Sequence, residues 1–243
     1  MTCSVQDGRG SFLPQPGEPW TPILLTRWSG EYLRGKGVET GRLDAELLLA
    51  QVLEVRRLDI YLQHDRPLAP GEIKAFKALL KRRANREPLQ YVLGKTAFRE
   101  IEVVTDSRAL IPRPETEILV GEVLSWARAL EQSDRPVPED RTHGRSASVG
   151  LRALDLGTGT GAIALSLLSE GPFGGVVATD PSRRALDLAL ENALSLDLLA
   201  RLDLREGRLF DPLREGERFH AIVSNPPYVP EGEGSSLQEE VRV

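Results

Sequence analysis

Cys3 is the only cysteine in 243 residues, so no disulfide can form within the chain and a buried core has to carry its stability. The histidines number three, His64, His143 and His220, too far apart in sequence to show ligand spacing, and no metal site is indicated. No apolar run approaches the length that spans a bilayer, and the N-terminus shows neither a basic start nor an apolar stretch after it; no membrane association is expected, and a reducing, cytoplasmic setting is. Nor is there an excess of positive charge. The net charge of −5 argues against a protein whose main work is gripping a phosphate backbone, and direct nucleic-acid binding is not expected. The charge is uneven, however, with ten lysines and arginines against five acidic residues between Glu72 and Arg113.

The length suits two unequal domains. Residues 1–21, with Gly8, Gly10, Pro14, Pro16, Gly17 and Pro19, read as a disordered tail. Residues 22–87 turn helical: Leu43, Leu47, Leu48, Val52 and later Ile73, Phe76, Leu80 recur at three-to-four-residue spacing around a break at Pro67, Pro70 and Gly71. The basic residues of the last helix, Lys77, Lys81, Arg82, Arg83 and Arg86, read first as a solvated face. From Pro88 the period changes. Tyr91-Val92-Leu93-Gly94 and Ile101-Glu102-Val103-Val104 read as two short strands, which makes 88–113 a β-hairpin linker.

Two prolines then bracket Arg113 and hold it extended before a helix that starts at Pro114. Arg113 is a candidate for contacting substrate; pairing with Glu115 or Glu117 is the alternative. Residues 131–150, with Pro136, Pro138 and Gly144, read as a flexible insertion in the domain 114–243. Beyond it, strands at 151–156, 175–179, 202–205 and 219–223 alternate with helices at 162–169 and 182–195, the pattern of a parallel, doubly wound α/β domain.

Two motifs carry chemistry. The first strand delivers the chain into Asp155-Leu156-Gly157-Thr158-Gly159-Thr160-Gly161, where glycines let the backbone bend tightly and approach a ligand with no Cβ in the way. Asp180, at the end of the next strand, could accept hydrogen bonds from ribose hydroxyls, and Asp155 could face a cationic part of the ligand; a helix cap and a buried backbone partner are their respective alternatives. On this turn alone a nicotinamide cofactor competes with S-adenosylmethionine, since Gly157, Gly159 and Ala162 also satisfy G-x-G-x-x-A.

The second motif, Asn225-Pro226-Pro227-Tyr228, follows the fourth strand. Neither proline offers an N–H, so the Asn225 side chain and the Pro226 carbonyl form a stiff cluster of acceptors, suited to an amide or amino group, with Tyr228 as a flat wall. Strand ends of an open α/β sheet share one crevice, which would put cofactor and acceptor site side by side, an arrangement suited to methyl transfer from a sulfonium to nitrogen. An amide nitrogen is a poor nucleophile, so positioning would supply most of the rate.

The glycine turn, Asp180 and Asn225-Pro226-Pro227-Tyr228 together resemble the amino-group S-adenosylmethionine methyltransferases, which act on DNA adenine or on protein glutamine. More specifically, D-A-E-L-L-L-A from Asp44, R-A-N-R-E-P-L-Q-Y-V-L-G from Arg83, F-R-E-I-E-V from Phe98 and A-L-I-P-R-P-E-T-E-I-L-V from Ala109 resemble the release factor glutamine methyltransferase family (PrmC/HemK type). That resemblance implies a Rossmann-like S-adenosylmethionine-dependent domain behind a helical docking domain, a class I release factor as protein partner, a monomer for the complete family member, and methylation of the glutamine in the release factor's Gly-Gly-Gln motif. It implies cofactor contacts from Asp155, Gly157, Thr158, Gly159, Thr160, Gly161, Asp180 and Asn225. It further implies catalysis by Asn225, Pro226 and Tyr228, with Pro227 and Arg113 also on the substrate. A DNA adenine methyltransferase and a binding module without turnover stay open as alternatives. The family has Gly-Asp where this chain has Gly207-Arg208, and it continues past Asn-Pro-Pro-Tyr with more strands than are present here. The strand at 219–223 is therefore expected to stand at a sheet edge.

Overall fold

The computed structural model describes residues 18–132 and 150–226, and the chain divides into two units between Leu93 and Gly94. Most of the tail, most of the insertion, and Pro227 and Tyr228 lie outside the described residues.

The first unit holds helices α1 (Pro22–Gly35), α2 (Gly41–Val52), α3 (Asp59–Leu62), α4 (Pro70–Ala84) and α5 (Leu89–Leu93). Proline opens both α1 and α4, where a missing N–H costs nothing. Ala69 has no side-chain acceptor to cap α4, so only the return half of a capping box forms, Glu72 Oε2 accepting the Ala69 N–H at 2.7 Å. Leu25, Leu33, Leu48, Leu49, Ile60, Phe76 and Leu80 meet in the core. The basic face of α4 is only partly solvated. Arg83 is 6% exposed and its Nε donates to Asp44, 2% exposed, at 2.7 Å. Arg82 grips Glu87 and the carbonyls of Tyr91 and Val92. The strand reading of residues 91–94 is wrong: Leu89–Leu93 is a turn of helix whose Tyr91 and Val92 are buried. A four-residue apolar run has no period of its own, and the helices around it decide.

In the second unit, β1 (Lys95–Phe98) and β2 (Ile101–Val104) form the antiparallel hairpin, pairing Phe98 with Ile101. Arg99, at its tip, sits at φ 52° and is held by a bidentate pair with Glu170 and a bond to the Glu117 carbonyl. Helix α6 (Pro114–Glu131) follows, then β3 (Leu151–Leu156), α7 (Ala162–Glu170), β4 (Phe173–Asp180), α8 (Arg183–Ser195), β5 (Leu202–Glu206) and β6 (Ala221–Ser224). The four strands β3 to β6 are parallel, in the order β5-β4-β3-β6.

Alternation along the strands divides the sheet's two faces. Leu151, Ala153, Val176, Ala178, Leu202 and Val223 pack with the helices and the hairpin into one core. The opposite face, Leu154, Leu156 and Val177, meets Leu213 and Phe219 of the loop before β6. The doubly wound reading therefore holds in strand order, while the helix layer among the described residues covers one face. That loop is anchored by Glu217, which takes both Arg205 at 2.6 Å and Arg152 at 3.4 Å. Arg205 holds the Glu217 carboxyl far below the usual range, at about 2, with burial opposing. Strand β6 has β3 as its only strand neighbour among the described residues, and Ile222 is 57% exposed.

Candidate active site

Strand register brings the two sequence motifs together. Leu156 of β3 is level with Thr179 of β4 on one side and with Ser224 of β6 on the other. Gly157, Asp180 and Asn225 are each the next residue or the strand's last, so three neighbouring parallel strands discharge them at the same sheet end, where ligands of open α/β sheets bind. Ser224 Oγ donates to the Leu156 carbonyl at 2.9 Å and locks the β6 end to the start of the glycine turn.

The three glycines of the turn have left-handed φ, 73°, 56° and 83°, but they do different work. A Cβ on Gly157 would meet nothing within 4 Å, so this is where the backbone lies open to a ligand. A Cβ on Gly161 would press on Ala189 and Leu165, both at 3.2 Å, so the lack of a side chain at Gly161 lets α7 start against α8. The side chain of Thr158 is also turned inward, donating to Asp155 at 2.6 Å, and Thr160 is buried, its carbonyl taken by Asn192. These two threonines shape the turn from within.

Asp155 is fully buried. Its Oδ2 accepts the Thr158 hydroxyl and the N–H of Ala164 at 3.3 Å in the first turn of α7, so the carboxylate serves as the cap that Gly161 cannot provide. Its Oδ1 has no hydrogen-bond partner among the described residues. Burial pushes the carboxyl up to about 6, the bonds from Thr158 and Ala164 opposing and the neighbouring Asp180 charge adding to it. Asp180 spends one oxygen on the Gly159 N–H at 3.0 Å and the other on the Ser182 N–H at 2.8 Å. It is not the cap of α8; Ser182 is, accepting from Ala185. Each carboxylate oxygen retains acceptor capacity for a ligand hydroxyl.

Asn225 is exposed, and its Nδ2 donates at 2.8 Å to the hydroxyl of Thr116, a buried residue of the first turn of α6. The carbonyl of Pro226 accepts no hydrogen bond among the described residues. The segment leading to Thr116 borders both motifs, since Ala109 lies 3.8 Å from where a Cβ of Gly159 would stand. Arg113 is the extended N-cap residue of α6, its carbonyl accepting the Thr116 N–H at 3.0 Å, and it makes no ion pair with Glu115 or Glu117 among the described residues. Its backbone therefore adjoins the Asn225 partner.

Sequence reasoning missed two residues here. Thr116 carries no signal beyond its place after Arg113. Asn192 is fully buried in α8, with Nδ2 donating to the carbonyls of Thr160 and Val104 and Oδ1 accepting the Val104 N–H, so one amide ties the hairpin to the glycine turn. Asparagine within an otherwise apolar helix face was the available clue.

The residues fit S-adenosylmethionine. The open backbone at Gly157, the spare acceptor capacity of Asp180 and the unpaired buried oxygen of Asp155 are what a ligand with ribose hydroxyls and a cationic amino-acid end needs at this sheet end. Comparison with known proteins agrees. The family described as PrmC N-terminal domain matches residues 25–94, and the family described as methyltransferase small domain matches 145–240. A release factor glutamine methyltransferase of Geobacter sulfurreducens is 40% identical over 93% of this chain and 71% of its own length. The chain belongs to the release factor glutamine methyltransferase family. Relatives in Rhodopirellula baltica and Chlorobaculum tepidum are 37% and 36% identical over 92% of this chain, covering 71% and 72% of their own lengths. For this member of the family, the match to the N-terminal domain ends at Gly94, within one residue of the boundary between the two units.

Proposed function

We propose that this protein methylates the side-chain amide nitrogen of the glutamine in the Gly-Gly-Gln motif of class I release factors, with S-adenosylmethionine as methyl donor. The observation that carries this is the adjacency of Asn225 and the glycine turn on paired strands, Ser224 opposite Leu156, with the Asn225 amide oriented so that its oxygen is left to accept. Gly157 and Asp180 would hold the cofactor, which supplies a methyl group on a positively charged sulfur. Asn225 Oδ1 and the Pro226 carbonyl take the two hydrogens of the glutamine amide, which fixes the plane of that amide and aims the nitrogen lone pair. The amide nitrogen so held would take up the methyl group and release its extra proton to solvent afterwards. No strong base is needed, because the proton leaves only after transfer.

We further propose that the helical unit docks the release factor, with Arg113 and Tyr228 contacting it near the glutamine, and that the protein acts as a monomer in the cytoplasm without contacting nucleic acid. The overall negative charge supports the last point. The test is transfer of labelled methyl from cofactor to a release factor, to its Gly-Gly-Gln→Gly-Gly-Ala variant and to DNA. Label on the intact release factor alone is expected; label on DNA would overturn the reading. Asn225→Ala should lower turnover about 10²–10³-fold, the scale for losing one preorganised polar contact at a reacting group, while a calorimetric titration finds cofactor affinity unchanged.

A further inference from the structure

We infer that Thr116 is a positioning residue for methyl transfer, holding the Asn225 amide with its oxygen toward the substrate; this rests on the reading that Asn225 receives the glutamine amide. A primary amide can present either end. With Nδ2 outward, Asn225 would oppose N–H donors of the glutamine with N–H donors of its own, and the pair would repel. The Thr116 hydroxyl takes Nδ2 at 2.8 Å and leaves Oδ1 as the outward group. Nothing else among the described residues hydrogen-bonds to this side chain, which is exposed on a chain segment just past the end of β6.

The hydroxyl is itself well placed to act as an anchor. Thr116 is 6% exposed, and its N–H is held by the Arg113 carbonyl in the first turn of an 18-residue helix that packs into the main core through Val120, Leu124 and Ala127. Asn225 is thus placed from two sides: its chain neighbour Ser224 is held by the β6 register with β3, and its own amide by α6. The contact joins positions 109 residues apart, so it exists only when the sheet and α6 are both in place.

The test uses the full chain with Thr116→Val, which keeps the shape and removes the acceptor, and Thr116→Ser, which restores the hydroxyl. Thr116→Val is expected to lower kcat about tenfold, the scale of one net hydrogen bond, with the cofactor dissociation constant unchanged and Thr116→Ser near wild type. In an Asn225→Ala background, Thr116→Val should have no further effect, which a general loss of structure would not reproduce. Because a folding defect could imitate the slowing, turnover is normalised to the cofactor-binding stoichiometry from calorimetry. Hydrogen exchange of the Asn225 side-chain amide, protected in wild type and Thr116→Ser and unprotected in Thr116→Val, reads the contact independently. Wild-type turnover in Thr116→Val, or equal losses in the single and the double background, would overturn the inference. If Asn225→Ala is itself fully active on release factor, the failure belongs to the underlying reading.

Discussion

Asp155→Asn should change how stability depends on pH, and the size of the change follows from burial. The carboxyl titrates at about 6 in the folded chain against an ordinary 3.8, because ionising it inside the protein forfeits hydration that its two hydrogen bonds only partly replace. A folded-state value raised above the unfolded one means that stability is fully present below the unfolded value and is lost as pH rises through the folded one. At about 1.36 kcal/mol per pH unit of displacement, the ionised group costs the cofactor-free protein about 3 kcal/mol at pH 7.5 and about 1 kcal/mol at pH 4.5. Asparagine keeps an oxygen for Thr158 and Ala164 but cannot ionise. The variant's stability relative to wild type should therefore be about 2 kcal/mol more favourable at pH 7.5 than at pH 4.5, whatever its absolute offset. Groups such as Glu217, held at about 2, titrate alike in both proteins and cancel. Urea unfolding of both proteins without cofactor, at the two pH values, measures the difference. The same offset at both values would refute a raised Asp155.

Asp180→Ala should weaken cofactor binding about ten- to hundredfold, the scale of a charge-assisted hydrogen bond, and more than it lowers kcat; a wild-type dissociation constant by calorimetry would remove Asp180 from the site. Gly157→Ala and Gly161→Ala should separate the two roles of the turn. The first costs about 1–2 kcal/mol of left-handed strain and blocks the open backbone, so cofactor affinity falls most; the second adds a clash with Ala189 and Leu165, so the melting temperature falls further. Paired thermal melts and titrations would contradict this if the two variants behaved alike. Asp44→Ala should destabilise the helical unit by about 1.5–3 kcal/mol, because it removes the charged acceptor of the buried Arg83 Nε while the bond from Arg83 to the Glu87 carbonyl stays, and a loss under about 0.5 kcal/mol in chemical denaturation would rule that out.

Much of the fold was legible because it rests on short-range rules. The α6 start at Pro114, the helices at Ala162 and Arg183 and the β3 strand into the glycine turn follow from proline's missing N–H, the 3.6-residue period and glycine's freedom at positive φ. The side-by-side placement of the glycine turn and Asn225 was also legible, since parallel strands of one sheet end at one edge. Residues 89–93 were not: a short apolar run is compatible with strand or helix, and Arg82 reaching the carbonyls of Tyr91 and Val92 belongs to the folded unit. The basic stretch misled for a related reason, as a count of charges cannot distinguish solvated Lys77 from Arg83 buried against Asp44, 39 residues away.

By itself, then, the sequence determined which residue types stand at the ends of which elements, and so the kind of chemistry the sheet edge can perform. Only the tertiary structure decided how the turn divides its labour, with Gly157 open, Gly161 packed, Asp155 capping α7 and Asp180 holding the Gly159 N–H. It alone paired Asn225 with Thr116 and Asn192 with Val104 and Thr160. The physical reason is that a side chain's hydrogen-bond partners are chosen by whatever packing leaves within about 3 Å, and for residues far apart in the chain that distance is set by the assembled sheet and helices.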